Sequence, residues 1–265
     1  MLNSRGKVPE DNLHALSDAA GHGIHIAIVT GRSFFFALPA VAQLADPLTL
    51  IVHNGAITRA RSGETLLRRL LPRETALHVL DITRPWRDSA VAIFDRPLAR
   101  QMVYDTMDWE LPNRARFRDR NREILEQVES LDEAITEDPI QIAYNGSVSE
   151  MRSLQAQLES SQASHAFTIA LTEYAVRDFA LVDVCARDTT KGSGLAAFAR
   201  RLGLDAAEVM AVGDNYNDRE MLEWAGIGVV MGNASDDLRS GGFMLTGTND
   251  EAGLAQAIRR FALPA

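Results

Sequence analysis

The sequence is poor in several features that would each assign it to a particular class of protein. A single cysteine, Cys185, excludes an internal disulfide and is typical of a reducing cytosol. No apolar run approaches the ~20 residues of a membrane-spanning helix, and the polar opening MLNSRGKVPEDN lacks the apolar core of a signal peptide. The formal net charge of −9 disfavours binding to nucleic acids or anionic membranes. We therefore expect a cytoplasmic protein without nucleic-acid or membrane partners.

The overall composition is typical of a soluble globular protein. Apolar residues make up 46% of the 265 residues and charged residues 24%, so the chain can bury one large core or two modest ones. No pattern in the sequence indicates an oligomeric state, and a monomer is the default expectation.

Alternating strand and helix patterns predict an α/β fold. Residues 24–29 and 48–52 are apolar runs typical of strands buried on both faces, and a helical pattern separates them. Because a strand–helix–strand unit makes its strands parallel, we predict a doubly wound parallel (Rossmann-like) core sheet. Residues 71–179 have hairpin patterns with few helices, which predicts an inserted α+β cap domain. The core domain is then discontinuous, with residues 1–70 and 180–265.

Residues 209–226 carry the strongest chemical signal in the sequence. An apolar run ends at Gly213, and Asp214 and Asp218 then place two carboxylates at the end of a predicted buried strand. Mg²⁺ binds a few carboxylate oxygens and keeps several waters. Asp and Asn residues at this position also suit the capping of a following helix. From this stretch alone, a metal site and a capped loop are equally good interpretations.

Further polar residues follow the other predicted strands. In open α/β sheets, ligands bind beyond the carboxyl ends of the strands. Thr30, Gly31 and Arg32 follow the first predicted strand, and Asn54 follows the second. Lys191 opens a helix, where the helix dipole favours an anion. The alternatives are a turn with a helix cap at residues 30–32 and a solvated side chain at Lys191.

Five short motifs occur in one order along the chain. They are IVTGRS (28–33), HNGA (53–56), DTTKGSGL (188–195), VGDNYNDREML (212–222) and GVVMGNA (228–234). In this order and with these spacings, the chain resembles the haloacid dehalogenase-like hydrolases, specifically the Cof-type group with a large α+β cap (class IIB). The resemblance covers nearly the whole chain, and the ordered set is far more specific than any single motif.

The resemblance implies Mg²⁺-assisted hydrolysis of a small phosphorylated substrate through an aspartyl-phosphate. By position, Thr30 would bind the transferring phosphoryl group and Lys191 would neutralise its charge. Asp214 would bind Mg²⁺, and Asp218 would support the metal shell. The residues expected on the substrate side are Gly31, Arg32, Asn54 and Asn217.

The sequence departs from the family pattern at its start. The family's first motif, Asp-x-Asp-Gly-Thr, ends an apolar strand and carries the nucleophile and the general acid. The present sequence begins at Met1, where that motif should just have ended, so the resemblance implies that both aspartates and their strand are missing. We therefore expect a misplaced start or a shortened chain.

Loss of that strand would also have structural consequences. In the family it lies between the strands that correspond to residues 24–29 and 209–212. Those two strands would be left about 9.6 Å apart, twice the usual ~4.8 Å spacing. Burial of the five missing apolar residues would contribute roughly 7–15 kcal/mol to the free energy of folding, which is comparable with the stability of a whole domain. We expect a gap in the core sheet unless another segment fills it.

Two functions of different classes remain open from the sequence. The first is a phosphatase of small, sugar-phosphate-like metabolites whose nucleophile is missing from the present chain. The second is a non-catalytic protein that binds phosphate esters, or an inactive truncated product. The cap residues Arg114, Arg116, Arg118 and Asn145 could meet an anionic substrate, although a solvated charged face is an alternative for the arginines. The sequence does not indicate which phosphate ester is bound.

Overall fold

The computed structural model describes residues 1–96, 99–174 and 177–264 and divides the chain into two compact units. The first unit combines Met1–Arg68 with Thr190–Ala265, and the second is Arg69–Thr189. Within the described ranges, no helix is long and apolar enough to cross a membrane.

The helices and strands are numbered in chain order. The helices are α1 (Glu10–Gly21), α2 (Phe34–Ala40), α3 (Arg73–Ile82), α4 (Pro112–Asn121), α5 (Leu131–Ala134), α6 (Val148–Ser160), α7 (Lys191–Arg201), α8 (Arg219–Trp224), α9 (Asp236–Arg239) and α10 (Gly253–Phe261). The strands are β1 (Ile26–Val29), β2 (Leu48–Val52), β3 (Ile57–Ala60), β4 (Thr65–Arg68), β5 (Ala90–Ile93), β6 (Met102–Tyr104), β7 (Leu125–Gln127), β8 (Gln141–Gly146), β9 (Phe167–Tyr174), β10 (Phe179–Ala186), β11 (Met210–Gly213), β12 (Ile227–Val230) and β13 (Met244–Leu245).

The strands of the first unit form two sheets. One sheet has the order β1-β2-β3-β4, in which β1 and β2 are parallel and the β3–β4 hairpin is antiparallel. The other has the order β11-β12-β13, with all strands parallel. The α/β class is therefore confirmed, but the core strands are divided between two sheets, and one of these is mixed.

The two sheets share an apolar core. Ile51 of β2 and Ala211 of β11 belong to one buried cluster, together with Leu195 and Phe198 of α7. Helix α7 packs against β1, β2 and β3 and also against α8, which follows β11. The shared helix thus joins the two sheets through side-chain packing, without a backbone ladder between them.

Strand β1 has one edge without a partner in the described residues. The amides of Ile26 and Thr30 both donate to carbonyls at β2. Because peptide groups alternate in direction along a strand, Ala27 and Val29 turn theirs to the other side. Both residues are only half-buried. Only Ile26 is buried among the four residues of this strand, so the expectation that it is buried on both faces is wrong.

Strand β11 has an equivalent edge. The carbonyls of Val209 and Gly213 accept hydrogen bonds from residues at β12, so Met210 and Val212 turn their peptide groups away from that sheet. We call these sides of β1 and β11 the open edges. The two strands are not paired with each other, which agrees with the gap expected between them.

The second unit is built on a six-stranded sheet of order β7-β6-β5-β8-β10-β9. Strand β10 pairs with β8 on one side and β9 on the other. The boundary predicted at residue 180 is therefore misplaced, because it falls inside a strand that belongs wholly to the second unit. Cys185 lies on β10, where burial raises the pKa of its thiol. The chain enters and leaves this unit at one place, because Arg69 Nη1 donates to the Asp188 carbonyl at 2.8 Å.

Arg114 of α4 has a structural role within the second unit. It is only 4% exposed, and its guanidinium donates to the Asn145 side chain at 3.1 Å and to the Asn145 carbonyl at 2.9 Å. Neither of the two interpretations of Arg114 from sequence, a substrate contact or a solvated face, fits this burial and pairing.

Amide hydrogen exchange tests the open edges. The amides of Ala27, Val29, Met210 and Val212 should exchange far faster than those of Ile28 and Ala211, because only the latter two are bonded to a neighbouring strand. The measurement is residue-resolved exchange by NMR at neutral pH. Equal, strong protection of all six amides would show that the edges are closed.

Candidate active site

Thr30 lies directly after β1 and is fixed through its backbone. Its amide donates to the Ile51 carbonyl at 2.8 Å, and its carbonyl accepts from the Asn54 amide at 3.1 Å. The Thr30 hydroxyl accepts from the Arg32 amide at 3.2 Å. The hydroxyl proton therefore remains available to donate to a ligand oxygen.

The loop after β2 has an unusual backbone conformation. His53, Asn54 and Gly55 have φ angles of 50°, 53° and 101°, and Asn54 is buried. A Cβ atom on Gly55 would lie 2.1 Å from the Thr190 carbonyl oxygen, so no side chain fits there. A Cβ atom on Gly31 would lie 2.9 Å from Asn54 Oδ1. Both glycines therefore allow the close packing that holds this loop against α7 and the Thr30 turn.

Lys191 is the first residue of α7. The side chain of Thr190 caps the helix by accepting from the Ser193 amide at 3.0 Å. Lys191 Nζ donates to Asp218 Oδ1 at 2.6 Å and to Asn217 Oδ1 at 2.8 Å. The Lys191 and Asp218 side chains are only 9% and 6% exposed. The ammonium is therefore held in a nearly buried ion pair beside the end of β11.

Asp218 also organises the loop that follows β11. Its second oxygen, Oδ2, accepts from the amides of Asp214 and Asn215, both at 2.9 Å. A Cβ atom on Gly213 would lie 2.5 Å from Asp218 Cβ, so the strand end must be glycine for this carboxylate to fold back over it. Asp218 therefore fixes the loop that carries Asp214, and its expected support of the metal shell stays a prediction.

Asp214 is exposed at the rim. Its Oδ2 accepts from Asn233 Nδ2 at 2.9 Å, and Asn233 Oδ1 accepts from the Asn249 amide at 2.9 Å. Asn233 belongs to the GVVMGNA motif, which by itself indicates no role for this residue. Its position could have indicated one, since Asn233 follows β12 in the same way as Asp214 follows β11.

The residues present provide only part of a Mg²⁺ site. In the ranges that the structure describes, no group of three or more His, Cys, Asp or Glu side chains could hold a metal ion. Asp214 offers one carboxylate oxygen that is not bonded to Asn233. Mg²⁺ in proteins is often bound through one or two carboxylates together with substrate phosphate and water. Asp214 fits the role of one such ligand, and the set is incomplete without another anionic group.

The first residues of the chain lie at the same rim. Burial lowers the pKa of the Met1 amino group, while the nearby carboxylates of Asp214 and Asp218 oppose this shift. Asn249 Nδ2 donates to the Leu2 carbonyl at 3.2 Å and so anchors this segment.

The structure brings most of the predicted residues together. Asn217 Nδ2 approaches Asn54 Oδ1 at 3.5 Å, which connects the Lys191 side of the rim with the Thr30 side. Arg32 takes part through its backbone only, because its exposed guanidinium has no hydrogen-bond partner in the described residues. The result is a donor-rich rim that contains the Lys191 ammonium and one available carboxylate, and such donors are suited to binding a phosphate group.

Comparison with known proteins was consistent with this geometry. The sequence model of a family described as haloacid dehalogenase-like hydrolases matches residues 1–258. Phosphatase YwpJ of Bacillus subtilis is 29% identical over 287 residues, covering 98% of this chain and 95% of that protein.

Solved structures show the same fold. A haloacid dehalogenase-like hydrolase from B. subtilis has a TM-score of 0.79 at 24% identity, covering 98% of this chain and 95% of that one. A subclass IIB sugar phosphatase has a TM-score of 0.73 at 23% identity, covering 96% of this chain and 92% of that one. The resemblance predicted from the ordered motifs is confirmed, and so is the fold.

Substitution of Lys191 tests the buried ion pair. Lys191→Met should lower the free energy of unfolding by about 3–5 kcal/mol, because it leaves the Asp218 carboxylate without its cation. Adding Asp218→Asn should recover part of this loss, and the double-mutant cycle measures the coupling. Exposed Glu220→Gln on α8 is the control and should change stability by less than about 0.5 kcal/mol. A loss below about 1 kcal/mol for Lys191→Met would show that the pair behaves as a solvated surface pair.

Proposed function

The chain belongs to the haloacid dehalogenase-like hydrolases, and from this premise we propose that it forms the phosphate-binding part of a Mg²⁺-dependent phosphatase of small phosphorylated metabolites in the cytoplasm. The proposal depends above all on Lys191, which is held by Asn217 and Asp218 beside the carboxyl end of β11. The phosphatase relative and the sugar phosphatase of similar fold support this substrate class.

In this proposal, Thr30 and Lys191 bind the transferring phosphoryl group. The Thr30 hydroxyl donates to one phosphate oxygen, and the Lys191 ammonium lies beside another. Phosphoryl transfer depends mostly on positioning and on neutralising charge that builds up on these oxygens. Asp218 keeps the ammonium in place before substrate arrives, so little reorganisation is needed when phosphate binds. Gly31, Asn54 and Asn217 shape the substrate side, and Arg32 offers an exposed cation at its margin.

Asp214 is the direct Mg²⁺ ligand that this chain contributes. Asn233 holds one oxygen of the Asp214 carboxylate, and Asp218 fixes the Asp214 amide. Mg²⁺, when bound, would neutralise charge on the phosphate oxygens. The second unit acts as a cap that selects the phosphate ester.

The nucleophilic carboxylate and the general acid are proposed to lie on a further strand between the open edges. Four peptide groups, those of Ala27, Val29, Met210 and Val212, are turned away from their own sheets and have no partners in the described residues. A parallel strand lodged there would end at the rim, between Thr30 and Asp214. No strand of the described residues occupies that position, and in this proposal the chain without such a strand binds phosphate esters but does not hydrolyse them.

A non-catalytic phosphate-binding protein is the second candidate. It is favoured by the inventory of side chains at the rim. The donors that would bind phosphate are in place, but among the described site residues only Asp214 has a carboxylate oxygen without a hydrogen bond. The two candidates differ in what happens once the core sheet is completed.

Completion of the sheet tests the phosphatase. We expect the 265-residue chain to release no phosphate from a panel of sugar phosphates. The same chain carrying an amino-terminal strand of five apolar residues followed by Asp-Leu-Asp-Gly-Thr should release phosphate when Mg²⁺ is present. Its matched control replaces the first added Asp by Asn and should be inactive. In the active protein, Asp214→Asn should lower the rate roughly 100-fold or more, because a metal ligand is lost.

An extended protein that folds and binds phosphate esters without releasing phosphate would favour the non-catalytic binder. Full activity of the Asp214→Asn variant would contradict the role of Asp214.

Calorimetry on the 265-residue chain tests the phosphate site by itself. Glucose 6-phosphate should bind at a single site, and Thr30→Val should weaken binding roughly fivefold because one hydroxyl donor is removed. Thr65→Val, at the exposed start of β4 and away from the rim, is the matched control and should leave the affinity unchanged. Absence of binding to the folded chain would contradict both candidate functions.

A further inference from the structure

A concavity separate from the candidate active site lies at the opposite end of the strands, where β1 and β2 begin. It is a cavity of about 600 Å³ at the amino ends of β1 and β2. His25, which precedes β1, and Thr49 on β2 line one side, and Phe198 and Arg201 near the end of α7 line the other. All of the lining residues belong to the first unit, and none of them is part of the proposed phosphatase site.

The floor of this cavity is apolar. Leu48 and Phe198 are buried core residues, and Leu66 packs partly buried beside them. Leu202 lies at the mouth with 41% of its surface exposed, which is high for a large apolar side chain. The cavity is wide open to solvent, and its lining is mainly apolar with a few polar groups.

A neutral polar pair lines one wall. His25 Nε2 and Thr49 Oγ1 are hydrogen-bonded at 3.1 Å, and the His25 ring meets the edge of the Phe198 ring with centroids 5.2 Å apart. Burial lowers the pKa of His25, so its imidazole is uncharged at neutral pH. These contacts fix the wall without adding charge to it.

The cavity has one cation in excess. Arg61 is paired with Asp46 at 3.8 Å and also donates to the carbonyls of Ala42 and Leu44. Arg201 forms no ion pair or hydrogen bond within the described residues and is exposed at the cavity. Arg61 is therefore neutralised by Asp46, whereas the charge of Arg201 is available to a ligand. The cavity is thus complementary to a ligand with a single negative charge.

We propose that this cavity binds a small amphipathic anion. The apolar body of the ligand would pack on the partly exposed side chains of Leu66 and Leu202, and its carboxylate, sulfonate or phosphate group would lie beside Arg201. The proposal does not depend on the proposed phosphatase function, because the two sites share no residue. The two sites do share two elements. Helix α7 begins at Lys191 and ends at Arg201, and β1 lies between His25 and Thr30. A ligand in the cavity therefore contacts the far ends of both elements.

Fluorescence titration with 8-anilinonaphthalene-1-sulfonate tests the proposal, since this probe combines an apolar ring body with one anionic group. The full chain should bind it saturably. Arg201→Gln should weaken the affinity roughly tenfold or more, as expected for loss of one hydrogen bond to a charged group. Arg200→Gln is the matched control, because Arg200 is also exposed in the last turn of α7 but does not line the cavity. It should change the affinity less than about twofold.

A second variant tests the shape of the site. Ser62→Trp places a large ring at the cavity wall and should reduce the amount of probe bound, while the unfolding temperature shows that the protein stays folded. Equal affinities for the wild-type, Arg201→Gln and Ser62→Trp proteins would overturn the proposal and assign the bound probe to another apolar surface, such as the open edges. Equal losses in Arg201→Gln and Arg200→Gln would also overturn it, because the effect would then be one of general charge.

Discussion

The ion pair between Lys191 and Asp218 connects the two halves of the first unit. Asp218 uses one oxygen to hold the ammonium of Lys191 and the other to hold two amides of the loop after β11. Lys191 is carried by α7, whose other contacts reach β1, β2 and β3. A single carboxylate therefore ties the strand end that bears Asp214 to the helix that supports Thr30. Because the pair is nearly buried, removing either member leaves an uncompensated charge, and both residues are constrained together.

The division of the core into two sheets explains why this polar rim matters structurally. Parallel core strands normally hold their neighbours through a continuous backbone ladder, whereas here β1 and β11 have no such ladder to each other. The connection depends instead on the apolar cluster around α7 and on polar contacts such as that between Asn217 and Asn54. Unpaired strand edges also act as templates for pairing with other chains. The same edges that could receive a completing strand therefore expose the protein to association with itself.

Much of the fold could be predicted from the sequence because its signals are local. Strand β2 has the bounds that its apolar run indicated. The positions of the rim residues also followed from the sequence, because all of them except Lys191 lie in the segments that follow predicted strands. The orientation of Asp218 could not be predicted, since it depends on Lys191, which lies 27 positions away. The burial of Arg114 likewise depends on its distant partner Asn145. The membership of β10 was missed because the strand's partners, β8 and β9, decide it and its own sequence does not.

The contact between Arg69 and Asp188 has a consequence for how the chain reaches its folded state. The two segments of the first unit are separated by the whole of Arg69–Thr189, and bringing them together before that insert folds would require closing a very long loop. Once the insert has folded, its two ends are already adjacent, as the hydrogen bond from Arg69 to the Asp188 carbonyl shows. The entropic cost of closing the long loop is then offset by the contacts formed within the insert. The two segments of the first unit can assemble as if a short connection joined them. Folding of the inserted unit first would therefore lower the entropic cost of bringing the segments that carry Thr30 and Asp214 together.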